Sequence, residues 1–203
     1  MLNLTTLQSS LIKLRPMTMS DLAGFRAAGN FSQLWQHMPV NRCQDNNTAK
    51  AWLFEAINEM AQGKQLAFVT INKANNKIVG STRLFRVNEQ DNAIEIGHTF
   101  ITPEYQRGYV NSHAKFLMLQ HAFEVLGMVR VEICTHENNQ QSRHAIARIG
   151  GIFEGILRKN RRAPDGSYRN TALFSITDEE WPQVKANLLK TGKNDEEFYY
   201  VSA

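Results

Sequence analysis

The apolar residues change period across Thr102-Pro103-Glu104-Tyr105-Gln106-Arg107-Gly108-Tyr109-Val110-Asn111, and few folds accommodate that change. Upstream, residues 66–71 are apolar on both faces, as in an interior strand. Lys73-Ala74-Asn75-Asn76-Lys77 reads as a hairpin turn, because Asn tolerates positive φ. Residues 78–87 and 92–101 follow as strands; Gly97 inside the second marks a bulge or a close backbone approach, and Pro103 ends it. Downstream, Val110, Ala114, Leu117 and Phe123 recur at helical spacing through residue 126, and Gly127 closes the helix. In residues 129–135, Val129, Val131, Ile133 and Thr135 alternate with Arg130, Glu132 and Cys134, a strand with one drier face. Strands met in succession build an antiparallel meander, whereas strand, helix and strand bring the outer two parallel. The sheet must therefore be mixed.

The remaining elements fall around this unit. Residues 11–15 form a short strand stopped by Pro16, and Thr18 or Ser20 caps a helix through Ala28. Residues 30–38 suggest a short helix ended by Pro39. Thr48 caps a stronger one carrying Trp52, Ala56, Ile57 and Met60, stopped at Gly63. Residues 139–149 make a helix closed by Gly150-Gly151. Residues 152–159 and 168–177 are strands around the turn Asp165-Gly166, and Asp178-Glu179-Glu180 opens a last helix. The order predicts an α+β, layered α/β architecture with a mixed, mostly antiparallel sheet of about seven strands flanked by helices. With no repeat or long linker, residues 1–190 read as a single domain and 191–203 as a polar C-terminal tail.

Composition narrows the class. A chain of 203 residues buries roughly 70% of its unfolded surface and needs no staples. Two cysteines, Cys43 and Cys134, exclude a disulfide scaffold and fit a reducing cytoplasm. No apolar run approaches the ~20 residues of a membrane span, and the first residues lack a secretory pattern. The net charge of +4 admits an anionic ligand but is too small and scattered to indicate a nucleic-acid protein. His113 and His121 with Glu124 have helical spacing, but the histidines stand eight positions apart, two turns plus a slip, and no further ligand is evident, so no metal is expected.

The loop before residue 110 carries the chemistry. A helix start leaves several N–H donors unpaired and holds about half a positive charge. Gly108 lets backbone approach an anion, and Arg107 adds a permanent cation; together they describe a phosphate cradle, or a plain strand-to-helix connection with a solvated Arg. No G-x-x-x-x-G-K-S/T and no G-x-G-x-x-G is present.

This segment resembles motif A of the GNAT-type N-acetyltransferases, usually Q/R-x-x-G-x-G/A at such a junction. It resembles more closely the branch that includes the ribosomal-protein alanine N-acetyltransferases. Ile96-Gly97-His98, Pro103, Tyr105-Gln106, Val110-Asn111 and Ala114-Lys115 match that branch's pattern. Leu14-Arg15-Pro16-Met17-Thr18, Asn139-Gln140-Gln141-Ser142, residues 151–158 and 164–171 match its other segments in order, so the resemblance spans about residues 11–190. One departure is Tyr109, at a site usually small; its ring either crowds the loop or lies outward.

The resemblance implies a sheet with a V-shaped split between the fourth strand (92–101) and the fifth (129–135). It implies an acetyl-CoA-dependent N-acetyltransferase acting on a primary amine, either a protein N-terminus or a small amine or amino-acyl compound, by direct attack in a ternary complex. Backbone N–H groups of Arg107, Gly108, Tyr109, Val110 and Asn111 would bind the pyrophosphate, framed by Gln106, and the pantetheine arm would lie along Phe100, Ile101 and Thr102. Glu95 is the candidate base or a structural carboxylate; His98 is a second candidate base. Ser142 is either the acid that protonates the leaving thiolate or a helix-start residue, and Asn139 either bonds the pantetheine or caps the helix. Trp35, Arg161 and Tyr168 would flank the acceptor. The basic run Arg158-Lys159-Asn160-Arg161-Arg162 reads as a solvated hairpin tip, or as a lure for an acidic acceptor or a ribosomal RNA surface. The alternative from another class is a non-catalytic acyl-CoA-binding regulatory module. A cytoplasmic location without membrane contact is expected, nucleic acid enters only indirectly through the ribosome, and a homodimer stays open.

Overall fold

The computed structural model describes residues 2–38, 40–162 and 165–191. The strands are β1 (Leu7–Gln8), β2 (Ile12–Pro16), β3 (Leu66–Asn72), β4 (Lys77–Asn88), β5 (Ala93–Ile101), β6 (Arg130–His136), β7 (Ile152–Arg162) and β8 (Tyr168–Thr177). The helices are α1 (Leu22–Gly29), α2 (Asn46–Ala61), α3 (Tyr109–Gln120), α4 (Gln140–Arg148) and α5 (Trp181–Thr191). One eight-stranded sheet runs β1-β2-β3-β4-β5-β6-β8-β7. Every neighbouring pair is antiparallel except β5 with β6, which are joined by the expected crossover through α3.

The sheet separates two apolar clusters, and β3 shows how. Its Leu66 and Phe68 join Leu84, Ile94, Ile96 and Leu117 on the α3 face. Its Ala67, Val69 and Ile71 join Phe25, Trp52, Ala56 and Phe100 on the face of α1 and α2. A strand buried on both sides needs the uninterrupted apolar run that residues 66–71 supply. Among the described residues, no helix is long and apolar enough to cross a membrane.

Several boundaries differ from expectation. The eighth strand is β1, whose two residues are too few to show a period, although Leu7 is fully buried. Residues 30–38 form only a 3₁₀ turn at Ser32–Leu34, and Pro39 lies outside the described residues. α2 starts one turn before Thr48: Asp45 is its cap, accepting the Thr48 N–H at 2.7 Å. A carboxylate there competes better than a hydroxyl for an unpaired amide. α3 stops at Gln120 and widens into a π-helical turn, His121–Val125. Of the expected tail, only Thr191 is described, as the last residue of α5.

The split sits between β5 and β6. Their pairing runs from Ala93↔Arg130 to Ile96↔Ile133 and ends, although both strands continue. An extra residue in β5 causes this: Phe100 pairs with Ser81 but Gly97 with Arg83, one residue too many on the β5 side. The strained position is His98, at φ 50°, rather than Gly97. Such a bulge bends its strand and leaves ladder groups unpaired. β6 meanwhile stays paired with β8 to His136↔Thr171, so the two strands diverge.

Gly80 underlies this junction, opposite Ile101. A Cβ there would overlap the Phe100 carbonyl oxygen and touch the Ile101 Cα. Gly80→Ala is expected to lower unfolding free energy by about 2 kcal/mol, read from urea denaturation midpoints, because backbone on both sides must shift.

Candidate functional site

The mouth of the split is formed by the segment from Thr102 to α3. A 3₁₀ turn, Pro103–Tyr105, is followed by Gln106, by Arg107 at φ 60°, and by Gly108 as the helix cap. Among the described residues no side chain caps α3, so the amide hydrogens of Tyr109, Val110 and Asn111 lack partners within the helix and carry its positive end. Arg107 is exposed beside them. The left-handed residue is thus Arg107, while Gly108 (φ −109°) adopts a conformation open to any residue, and a Cβ there would make only an ordinary van der Waals contact with the Tyr105 carbonyl oxygen. Tyr109 is drawn away from the loop: its phenol donates to Asn72 Oδ1 at 3.2 Å, and its ring packs edge-on against His113. The Tyr105 hydroxyl accepts from Asn75 Nδ2 at 2.9 Å. Both tyrosines tie the loop to the end of the β3–β4 hairpin.

Gln106 spans the split. Its Nε2 donates to the Ile101 carbonyl at 2.8 Å, and its Oε1 accepts from Gln141 Nε2 at 3.1 Å. On the β5 bank, Phe100 buries its ring between Phe25 and Trp35, at centroid distances of 5.4 and 5.3 Å. Thr102 gives its N–H to the Val79 carbonyl and its hydroxyl to the Ala28 carbonyl, both at 2.8 Å, so its donors are used inside the protein. On the opposite bank, Asn139 caps α4 by accepting the Ser142 N–H at 3.0 Å. The Ser142 hydroxyl is half-buried and bonds none of the described residues.

The face toward α2 holds the titratable groups. Glu95 is 5% exposed; its Oε2 lies 2.9 Å from Arg86 Nη1 and 3.9 Å from Arg161 Nη2. Burial raises its carboxyl pKa, and the two arginines pull it back only in part. His98 sits between Phe85 (4.8 Å) and Trp52 (6.1 Å). Burial, followed by the fields of Arg83, Arg42, Arg161 and Arg86, pushes it down to about 3, so it is a neutral ring at working pH. Among the expected acceptor contacts, Arg161 joins this cluster. Trp35 does not: it is a core residue, 5% exposed, with its ring N–H bonded to the Gly29 carbonyl at 2.8 Å. Tyr168 is exposed beside Arg162 near the β7–β8 tip.

Sequence reasoning assigned no role to Lys115 beyond its place in the motif. Its Nζ is buried and donates to Thr99 Oγ1 at 3.0 Å; that hydroxyl also meets Thr82 Oγ1 at 2.8 Å. Among the described residues no carboxylate pairs with it, and burial alone pushes it down to about 7. The available signal was a lysine inside an otherwise apolar run, Ala114 to Leu119. Burial raises both Cys43 and Cys134 to about 12, which keeps them as thiols.

A family model of the acetyltransferase (GNAT) domain matches residues 12–152. YdaF of Bacillus subtilis (strain 168), provisionally named as a ribosomal N-acetyltransferase, is 28% identical over 108 residues, which cover 53% of this chain and 58% of that protein. A GCN5-related N-acetyltransferase structure from Brucella melitensis is 30% identical with a TM-score of 0.80, over 89% of this chain and 82% of the other. RimJ of Mycobacterium smegmatis, in complex with CoA-disulfide, superposes with a TM-score of 0.78 over 92% and 94% of the two chains; at 24% identity the likeness is one of fold.

Lys115 gives a pH test. Below pH about 7 the amine is charged in folded and unfolded chains alike, and the fold bears the whole cost of a buried ammonium. Between about 7 and the ordinary 10.5 the unfolded chain holds a proton that the folded chain has shed, so this site makes stability rise with pH. Lys115→Met is expected to flatten the rise in Tm from pH 6 to pH 9; an unchanged profile would assign the rise to other groups.

Proposed function

This chain belongs to the GNAT acetyltransferase family, and from that premise we propose that it transfers the acetyl group of acetyl-CoA to a primary amine, either a protein N-terminus or a small amine or amino-acyl compound, the name of YdaF as a ribosomal N-acetyltransferase favouring a protein acceptor. The observation that carries the reading is the uncapped N-terminus of α3 opening onto a split whose strands have stopped pairing. Unpaired amides beside a permanent cation suit a diphosphate. Unpaired strand edge suits the amides of a pantetheine arm, which would lie along the backbone of Phe100 and Ile101, as an added strand does. The RimJ complex with CoA-disulfide supports a ligand of this kind.

Acetyl-CoA supplies an acyl group activated as a thioester. The chain's own part is to bind, orient and move protons. The amides of residues 107–111, with Arg107, hold the anionic end, and Gln106 keeps the banks in register. Glu95 takes the proton from the amine, directly or through water, because a carboxyl raised by burial is a better base than an exposed one. Ser142, with its hydroxyl free of described partners, returns a proton to the departing thiolate. Much of the acceleration comes from holding amine and thioester together. The cytoplasm is the proposed site of the reaction, a reducing compartment that suits the free thiols of Cys43 and Cys134.

Acetyl-CoA at a hundred times its Kd is expected to stabilise the protein by about 2.7 kcal/mol, seen as a rise in Tm, and Arg107→Glu to weaken that effect at equal concentration. Thiol release on adding an N-terminal peptide measures transfer. Glu95→Gln should lower kcat about 100-fold and remove the acid limb of the rate profile, since the wild-type base is lost as pH falls through its raised pKa. Binding with no thiol release from any amine would favour a regulatory acyl-CoA-binding module.

A further inference from the structure

The surroundings of Glu95 hold more positive charge than that carboxylate balances. Arg86 and Arg161 share its Oε2. Arg169 faces Arg161 across the β7–β8 ladder; its Nη1 donates to the His37 carbonyl at 2.7 Å, while its Nε is buried with no acceptor among the described residues. Arg83, 2% exposed, lies 3.9 Å over the Trp52 ring and donates to Gln65 Oε1 at 3.3 Å, leaving Nε and Nη2 without acceptors among the described residues. Among the described residues neither Arg83, Arg169 nor Arg42 has a carboxylate within 4.0 Å, although Glu55 and Glu59 act on Arg83 from farther off. An arginine does not relieve such a situation by losing its proton.

Arg161 is also aimed on purpose. The β7–β8 register slips between Leu157↔Thr171 and Arg161↔Arg169, putting two extra residues into β7, and Lys159 takes φ 50° within the slip. Arg158, Lys159 and Arg162 are exposed, while Arg161 is half-buried and reaches Glu95. A bulge with a left-handed non-glycine residue re-aims a side chain at a conformational cost, which a merely solvated hairpin tip does not require. The basic run thus divides into three outward charges and one inward.

We propose that the acceptor amine comes with an anion beside it, a carboxylate above all, and that Arg161 receives this anion. The inference rests on the transfer reading and deepens it. An ammonium arriving alone meets net repulsion; one accompanied by a carboxylate brings the missing counter-charge. The same field disfavours the ammonium form, so the arginines help send its proton toward Glu95.

The test compares Ala-Asp-amide, Ala-Asn-amide and Ala-Asn with a free terminal carboxylate, by calorimetric binding to the protein with coenzyme A and by thiol release with acetyl-CoA. The expected result is about tenfold tighter binding of one or both carboxylate ligands over Ala-Asn-amide; which of the two gains shows whether a side chain or a chain end supplies the anion. Arg161→Gln should reduce that ratio to below threefold, with Arg161→Lys keeping part of it. A ratio is read, so a variant that merely slows turnover does not mimic the effect. Equal affinity for the three ligands, or a ratio unmoved by Arg161→Gln, overturns the inference. Carboxylate selectivity without thiol release would overturn the transfer reading and leave the anion site standing.

Discussion

The extra residue at His98 is the constraint on which the rest of the molecule depends. It ends the pairing of β5 with β6 after Ile96 and so creates an opening in an otherwise continuous sheet. The bulge is supported from both faces. On the α3 side, the Lys115 amine and the Thr99 and Thr82 hydroxyls form a short polar chain. On the α2 side, Phe85 and Trp52 enclose the His98 ring. A left-handed residue persists only where its surroundings hold it there.

Two buried cations near this opening meet the same difficulty by different chemistry. Lys115 approaches neutrality, with its pKa brought down to about 7. Arg83 is lowered only to about 10 and keeps its charge, so it leans on the Trp52 π face and on Gln65 instead. Guanidinium is weakly hydrated and stacks well, which makes its burial tolerable where an ammonium would discharge.

The fold was legible wherever periodicity was long. The strands of residues 66–101, the crossover through α3 and the closing hairpin all follow from apolar spacing and turn residues. β1 escaped because two residues show no period, and the 30–38 segment because helical spacing survives in a stretch too short to nucleate a helix. At the site, the uncapped helix start and the place of Gln106 were readable from residue order. The resemblance pointed to Arg161 beside the acceptor, but its contact with Glu95, the core position of Trp35 and the hydroxyl chain on Lys115 were not readable, since each is decided by a register slip or by contacts between elements distant in sequence. Asn139 had two readings, and the observed one is the helix cap.

Gln106 joins the carbonyl that ends β5 to a side chain on the first turn of α4. One planar amide therefore acts as a strut across an interval where no backbone ladder exists. The start of α4 and the loop before α3 are linked through it, and widening the gap between them requires breaking one of these bonds.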